Sequence, residues 1–364
     1  MKQLLKQEKY RNLAKIILIN TIIFTITNLL FNIKYEQVDD FIMYNLYSGL
    51  DGTYSTYGVY MHTILCAIIG LFYRIVPVIN WHTIFLLSMQ FICFTIIGYC
   101  ITEKQKSEKS FILYAVFASV FYSVLLVLIQ YTSVAAVLIL TALFIIMHLM
   151  EREQKSNTLK VLCFVLYTVG IMLRMQSLLI IAPFFALYAI YYLIKYFKKQ
   201  IDINKLKTVI ADYAIIAVIT IAVYISHNAI YENNPVYKEY MEYNNIRAIL
   251  HDMSYTDYEE NKQIFDEIGW SKNDHYLFYT FNFGDENVYS KENLQKIIDY
   301  KISTNQYYNL NSKPKEVRED LVNEMQSTNT IVTLFMLAMF FVSVLESKEK
   351  KRIKYTNIAS NLRN

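Results

Sequence analysis

The chain has 364 residues, of which 55% are hydrophobic and 18% charged, with a formal net charge of +4. Its apolar residues fall in blocks near 20 long, enough to cross a hydrocarbon core of roughly 30 Å, which excludes a soluble enzyme built on one globular core. Only 8 glycines and 4 prolines exclude collagen-like or Pro-rich low-complexity sequence.

Nine apolar blocks follow in chain order: 13–33, 59–79, 82–102, 111–130, 133–150, 159–173, 176–194, 208–226 and 329–345. A basic start (Lys2, Lys6, Lys9, Arg11) precedes the first, and no small-residue cleavage site follows it before Lys34. The first block is therefore predicted to be a retained membrane helix rather than a cleaved signal peptide. Cys66, Cys93, Cys100 and Cys163 all lie inside apolar blocks without CxxC or Cys/His spacing, so they are predicted as apolar packers and not as a disulfide or zinc framework. Between the last two blocks, residues 227–328 carry 18 acidic against 10 basic residues and 12 tyrosines. Turn signals at Asn233-Asn234-Pro235, Gly269, Phe283-Gly284-Asp285 and Ser312-Lys313-Pro314 divide this stretch into short helical pieces, predicting a small helical domain.

Lysine and arginine set the orientation. Segments 1–15, 103–110, 151–160, 195–207 and 347–364 hold 22 of the 35 basic residues. If all nine blocks cross, these segments fall on both sides. If block 59–79 does not cross, all of them lie in the cytoplasm. The expected architecture is all-α and integral to the cell membrane. It has a transmembrane part at 1–226 with a first outer loop at 34–81, an extracytoplasmic helical domain at 227–328, and a last crossing with a basic tail at 329–364. That makes about eight crossings in a multi-pass chain with both termini cytoplasmic. Block 59–79 becomes an outer interfacial helix, its ends marked by Tyr54, Tyr57, Tyr60, Tyr73 and Trp81.

Four features carry candidate chemistry. The first is Glu36-Gln37-Val38-Asp39-Asp40, just after the first crossing. Three carboxylates in five residues beside a membrane favour one raised pKa or a bound cation, so Glu36, Asp39 and Asp40 are candidate catalytic residues. One of them would accept a hydroxyl proton, or Asp39 and Asp40 would hold a divalent ion such as Mg or Mn against a phosphate. The competing reading makes Asp39 or Asp40 the cap of a helix through Leu50. The second feature, Ser48-Gly49-Leu50-Asp51-Gly52, leads towards His62, read either as an interfacial anchor or as a substrate contact. The third is Arg174, between two apolar blocks with almost no loop. A cation there is costly unless paired or wet, so it either binds a lipid phosphate or snorkels to headgroups. The nearby turn Gln130-Tyr131-Thr132-Ser133 offers polar tips to the same cavity. The fourth is a helix face at 240–247, where Tyr240, Tyr243, Asn244 and Arg247 recur at i, i+3, i+4 and i+7. It suits sugar stacking and phosphate contact, or packing on the domain core. Walker, GxGxxG, HExxH and GxSxG motifs are absent.

Val38-Asp39-Asp40-Phe41, Ser48-Gly49 and Pro77-Val78-Ile79-Asn80-Trp81-His82, with Leu173-Arg174 and Tyr243-Asn244-Asn245-Ile246-Arg247 further on, resemble a group of bacterial polytopic proteins. That group is similar to the GT-C superfamily of membrane glycosyltransferases, including protein O-mannosyltransferases and lipid A aminosugar transferases. The resemblance runs from about Ile33 to Asp252. It implies a GT-C-like bundle, a catalytic acid in the first outer loop, a non-crossing helix within that loop and a polyprenyl-phosphate sugar donor. The His-Pro-Pro element of the mannosyltransferases is absent, since Thr63 follows His62.

The expected function is transfer of a sugar from a polyprenyl phosphate to a cell-surface glycan or lipid-linked acceptor, within cell-wall or polysaccharide biosynthesis. Asp39 or Asp40 would act as base and Arg174 and Arg247 would bind the phosphate. The expected partners are the lipid-linked donor, the acceptor and membrane lipid, with no nucleic acid. The alternatives are a surface-polysaccharide polymerase or ligase, and a non-enzymatic transporter or flippase of lipid-linked sugars.

Overall fold

The computed structural model describes residues 2–306 except 37, 51, 106, 153–155, 254 and 305, and leaves out the side chains of 2–9, 38, 104, 105 and 152. The predicted crossing at 329–345, the basic tail and residues 307–328 of the predicted outer domain lie outside the described residues. The chain divides into two compact units, 1–238 and 239–364, each taken by itself here.

The first unit is a helical membrane assembly. Six helices are long and apolar enough to cross a bilayer: α1 (Lys2–Leu30), α4 (Trp81–Gln105), α5 (Glu108–Val127), α6 (Tyr131–Arg152), α8 (Ser177–Phe197) and α9 (Ile203–Glu232). Two apolar helices are shorter, α3 (Thr63–Ile75) and α7 (Asn157–Leu173), and α2 (Val38–Ser48) precedes α3. Helix α9 continues through the predicted boundary at 226/227. Polar caps start several helices between apolar blocks. Ser107 accepts from the Ser110 N–H at α5, Ser156 from Leu159 at α7 and Asp202 from Lys205 at α9. Each satisfies an amide that has no partner inside the helix.

Helix α6 is central, packing on α4, α7, α8 and α9, and its Leu138, Ile139 and Ala142 are fully buried. Close approach of α7 depends on Gly170, where an added Cβ would sit 2.8 Å from Ile139 Cγ1 and 3.1 Å from the Ala135 carbonyl. Helices α1, α4 and α5 are tied by a buried polar knot. Tyr114 Oη donates to Asn20 Oδ1 at 2.7 Å, and Asn20 Nδ2 donates to Thr95 Oγ1 at 3.1 Å. Leu29, Leu30, Leu179, Leu187 and Val218 on α1, α8 and α9 stand exposed, a surface suited to lipid rather than water.

One end of this unit is laced by ion pairs: Lys15–Glu108 at 2.7 Å, His148–Glu103 at 2.8 Å and Lys160–Asp212 at 2.5 Å. They join segment 1–15 to 103–110, 103–110 to the end of α6, and 151–160 to α9. The candidate site lies at the opposite end. There, strand β1 (Lys34–Tyr35) pairs in parallel with β2 (Leu128–Ile129), Lys34 opposite Leu128.

Helix α3 starts and finishes at the site end. His62, just before it, donates its backbone N–H to the Met172 carbonyl of α7, and Tyr73 in its last turns accepts from the His82 N–H of α4. Its 13 residues span about 20 Å, short of a hydrocarbon core. One face buries Leu65, Cys66, Ile69 and Tyr73, and the other exposes Ile64, Ile68, Leu71, Phe72 and Ile75.

The second unit begins within α10 (Pro235–Asp252) and contains α11 (Lys262–Glu267), α12 (Lys272–Tyr279) and α13 (Lys291–Ser303). A capping box starts α12, where Ser271 and Asp274 each accept from the other's backbone amide. Leu250, Phe265, Trp270, Phe278 and Leu294 form a separate core.

Candidate functional site

The β1–β2 pairing, extended by the Glu36 N–H donating to the Ile129 carbonyl at 3.0 Å, sets the first turn of α2 against the start of α6. Asp39 and Asp40 both lie in that turn, where the α2 dipole favours negative charge. Their surroundings then diverge. Asp40 is 0% exposed. Its Oδ1 faces His82 Nε2 at 3.0 Å and accepts from the Tyr131 N–H at 3.1 Å, and its Oδ2 lies 3.4 Å from that same N–H. Tyr131 opens α6, so Asp40 caps a helix to which it does not belong.

The His82 ring is clamped on both sides. Because the carboxylate accepts, Nε2 carries the hydrogen, and Nδ1 accepts from the Tyr47 hydroxyl through a short hydrogen bond. Burial pushes the Tyr47 phenol well above its ordinary pKa, so it keeps the proton that it donates. A second layer supports the clamp. The Tyr73 hydroxyl donates to Asn80 Oδ1 at 3.0 Å, Asn80 Nδ2 donates to the Tyr35 hydroxyl at 3.0 Å, and Tyr35 meets Thr83 Oγ1 at 2.7 Å. Burial raises the Tyr35 and Tyr73 phenols as well.

Asp39, the residue before Asp40 in that turn, is half-buried. Its carboxylate and the Arg174 guanidinium both act electrostatically on the Tyr131 hydroxyl. Arg174 caps α7, its N–H donating to the Gly170 carbonyl at 3.0 Å. Its guanidinium carbon sits 4.4 Å from the Tyr60 ring centre and 5.6 Å from that of Tyr131. Contacts of this kind attract a cation to the faces of aromatic rings. Its buried Nη1 has no hydrogen-bond acceptor among the described residues. The turn that presents Arg174 is anchored to α6 by Ser177 Oγ, which donates to the Thr132 carbonyl at 3.0 Å.

No family model, curated protein or solved structure matches the chain. The site is therefore read from its own geometry.

The candidate residues divide as follows. Asp39, Asp40 and Arg174 meet around Tyr131. Glu36 is exposed beside them, engaged through its backbone. A cation shared by Asp39 and Asp40 does not fit, because the buried Asp40 already spends its oxygens on His82 and Tyr131. Among the described residues no group of three or more His, Cys, Asp or Glu could hold a metal. His62 is neither an interfacial anchor nor open to a substrate: it is 3% exposed and caps α3, its Nδ1 accepting from the Ile64 N–H at 3.2 Å. Its Nε2 lies 2.9 Å from Ser226 Oγ, which itself donates to the Val223 carbonyl. Burial lowers the His62 pKa, which keeps the ring neutral for both bonds. Of the Ser48–Gly52 segment, Gly49 and Leu50 turn the chain at the end of α2, with Gly49 at φ 71° and the Tyr54 ring packed against it, and Asp51 lies outside the described residues.

Tyr243, Asn244 and Arg247 belong to the second unit. Asn244 is buried and its Oδ1 accepts from Arg247 Nε at 3.2 Å and Nη2 at 2.7 Å. The guanidinium carbon lies 5.2 Å from the Phe283 ring centre, and Tyr243 packs against the core. Of this helix face, Asn244 and Tyr243 pack towards the core of the unit while Tyr240 stays exposed.

Sequence reasoning assigned no role to Tyr47 or His82, and read Tyr60 only as an interfacial marker and Tyr131 only as part of a polar turn. Tyr131 sat in a flagged turn and His82 followed the Asn80-Trp81 landmark, but their partners are distant in sequence.

Proposed function

We propose that the protein is an integral membrane glycosyltransferase that moves a sugar from a polyprenyl phosphate to a glycan or lipid-linked acceptor at the outer face of the cell membrane. In this reading the chain crosses about eight times, the helices α1, α4–α9 and block 329–345 making the crossings. The termini and the ion-paired end are cytoplasmic, α3 lies in the outer interface, and the second unit is extracytoplasmic.

One observation carries the reading: an arginine whose buried Nη1 has no acceptor among the described residues and a half-buried aspartate both act on the Tyr131 hydroxyl, at the end of the unit where α1 emerges. A guanidinium in that setting suits a phosphate, which it can grip through two parallel N–H donors. In the reaction the acceptor hydroxyl oxygen attacks the anomeric carbon and the Asp39 carboxylate takes its proton. The bond from that carbon to the phosphate oxygen breaks, and the lipid phosphate leaves with its added charge stabilised by Arg174. Asp40 has no part in proton transfer, and no nucleotide is consumed.

The test is transfer from polyprenyl-phosphate-linked hexoses by purified protein in lipid nanodiscs. Asp39→Asn is expected to remove turnover, and Arg174→Ala to raise the donor KM and lower kcat. Full activity in both variants ends the proposal.

A further inference from the structure

The buried chain Tyr47–His82–Asp40–Tyr131 has no direct role in the chemistry above, yet every link in it is made. Its ends matter most. One end is the backbone N–H of Tyr131, the residue whose ring and hydroxyl face Arg174 and Asp39. The other is α2 itself, since Tyr47 and Asp40 lie on the same helix that carries Asp39. The His82 ring thus ties α4 to α2 at two points, and the Asp40 carboxylate that it meets also accepts from the first residue of α6. Fixing a ring by hydrogen bonds at both nitrogens sets its tautomer and orientation. Such a clamp suits holding groups more than moving protons, because Asp40 and His82 are both 0% exposed and reach no substrate.

We infer that His82, gripped by Asp40 and Tyr47, is a positioning residue that sets the first turn of α2 and the first residue of α6 in register, so that Asp39 and Tyr131 face Arg174 at a fixed spacing. This rests on the glycosyl-transfer reading for its kinetic consequence but not for its geometric one. Misplacement by about 1 Å can cost on the order of 100-fold in rate. Loosening the clamp without removing any reacting group should cost less than that.

The experiment uses the full-length protein in nanodiscs and four variants: His82→Leu, His82→Gln, Tyr47→Phe and Tyr114→Phe. Tyr114→Phe removes a buried phenol bond in the α1–α4–α5 knot and controls for lost stability alone. With the polyprenyl-phosphate donor, His82→Leu and Tyr47→Phe are expected to lower kcat roughly ten-fold with donor KM unchanged. His82→Gln keeps a donor towards Asp40 and recovers part of the loss, and Tyr114→Phe stays within about two-fold of wild type. The second readout needs no turnover: the rate at which a dicarbonyl reagent modifies Arg174, followed by mass spectrometry. His82→Leu is expected to speed that modification several-fold, because the packing around Nη1 loosens, and Tyr114→Phe is not. Unchanged kcat in His82→Leu and Tyr47→Phe, beside an inactive Asp39→Asn, overturns the positioning role. If Asp39→Asn is fully active, the transfer reading fails instead, and the Arg174 modification rates still decide the clamp: equal rates in His82→Leu and wild type overturn it.

Discussion

Replacing each of the adjacent aspartates by alanine should destabilise the protein to very different extents. Asp40→Ala removes the acceptor for two buried donors, His82 Nε2–H and the Tyr131 N–H. Each donor stranded without water costs about 1–3 kcal/mol. A joint loss of about 4 kcal/mol follows, in line with the roughly 3–5 kcal/mol for breaking a buried pair. At roughly 2–4 °C per kcal/mol for a unit of this size, the melting temperature should fall by about 12 °C. Asp39, which is half-buried, should cost within about 1 kcal/mol, a shift of a few degrees. A thiol-reactive fluorogenic dye reads this directly, because the four free cysteines are all buried and become labelled on unfolding. Comparable shifts for the two variants, or a larger one for Asp39→Ala, would refute the division of labour between the two acids.

Further outcomes are equally specific. Gly170→Ala should lose about 1–3 kcal/mol in the same melt, since its methyl would press on Ile139 and the Ala135 carbonyl, and an unshifted melt would refute that packing. In the second unit, burial and then the Arg247 charge push the His251 pKa down to about 4 from its ordinary 6.5. The unfolded chain then binds the proton first, so this contribution is complete above about pH 6.5 and is lost as pH falls towards 4. Melts from pH 7 to 4 should show the decline, and His251→Phe should flatten it. Lys109→Cys and Glu36→Cys, both at exposed positions, should label with an impermeant maleimide from opposite sides of sealed vesicles. Labelling from one side would refute the proposed topology.

Much of this arrangement was legible before the fold. Hydropathy located the six helices long and apolar enough to cross. The clustering of lysines and arginines predicted that block 59–79 does not cross, and α3 there is a short helix that starts and finishes at one end. The acidic doublet was legible as a cluster and as a helix start. Its division was not, because neighbours on a helix point about 100° apart and the chain alone does not say which direction is inward. His82 stood inside a noted landmark, but its meaning depends on Asp40, 42 residues earlier, and on Tyr47, 35 residues earlier. Spacing put Tyr240, Tyr243, Asn244 and Arg247 on one face, of which Asn244 and Arg247 bond to each other and Tyr240 is exposed. Spacing could not decide between a ligand and the Phe283 side of a core, since both want the same residues.

The distance along the chain between Asp40 and its helix-capping partner has a bearing on biogenesis. The two are 91 residues apart. At a synthesis rate of roughly 5–20 residues per second, the acid waits on the order of 5–18 s for Tyr131 to leave the ribosome. Helices α3, α4 and α5 are made in that interval, and of these α4 and α5 are long and apolar enough to insert. The nascent first loop therefore stays hydrated and unfinished until the α5–α6 hairpin arrives, so truncated chains ending before it should be open to quality-control proteases at the segment destined to become the site.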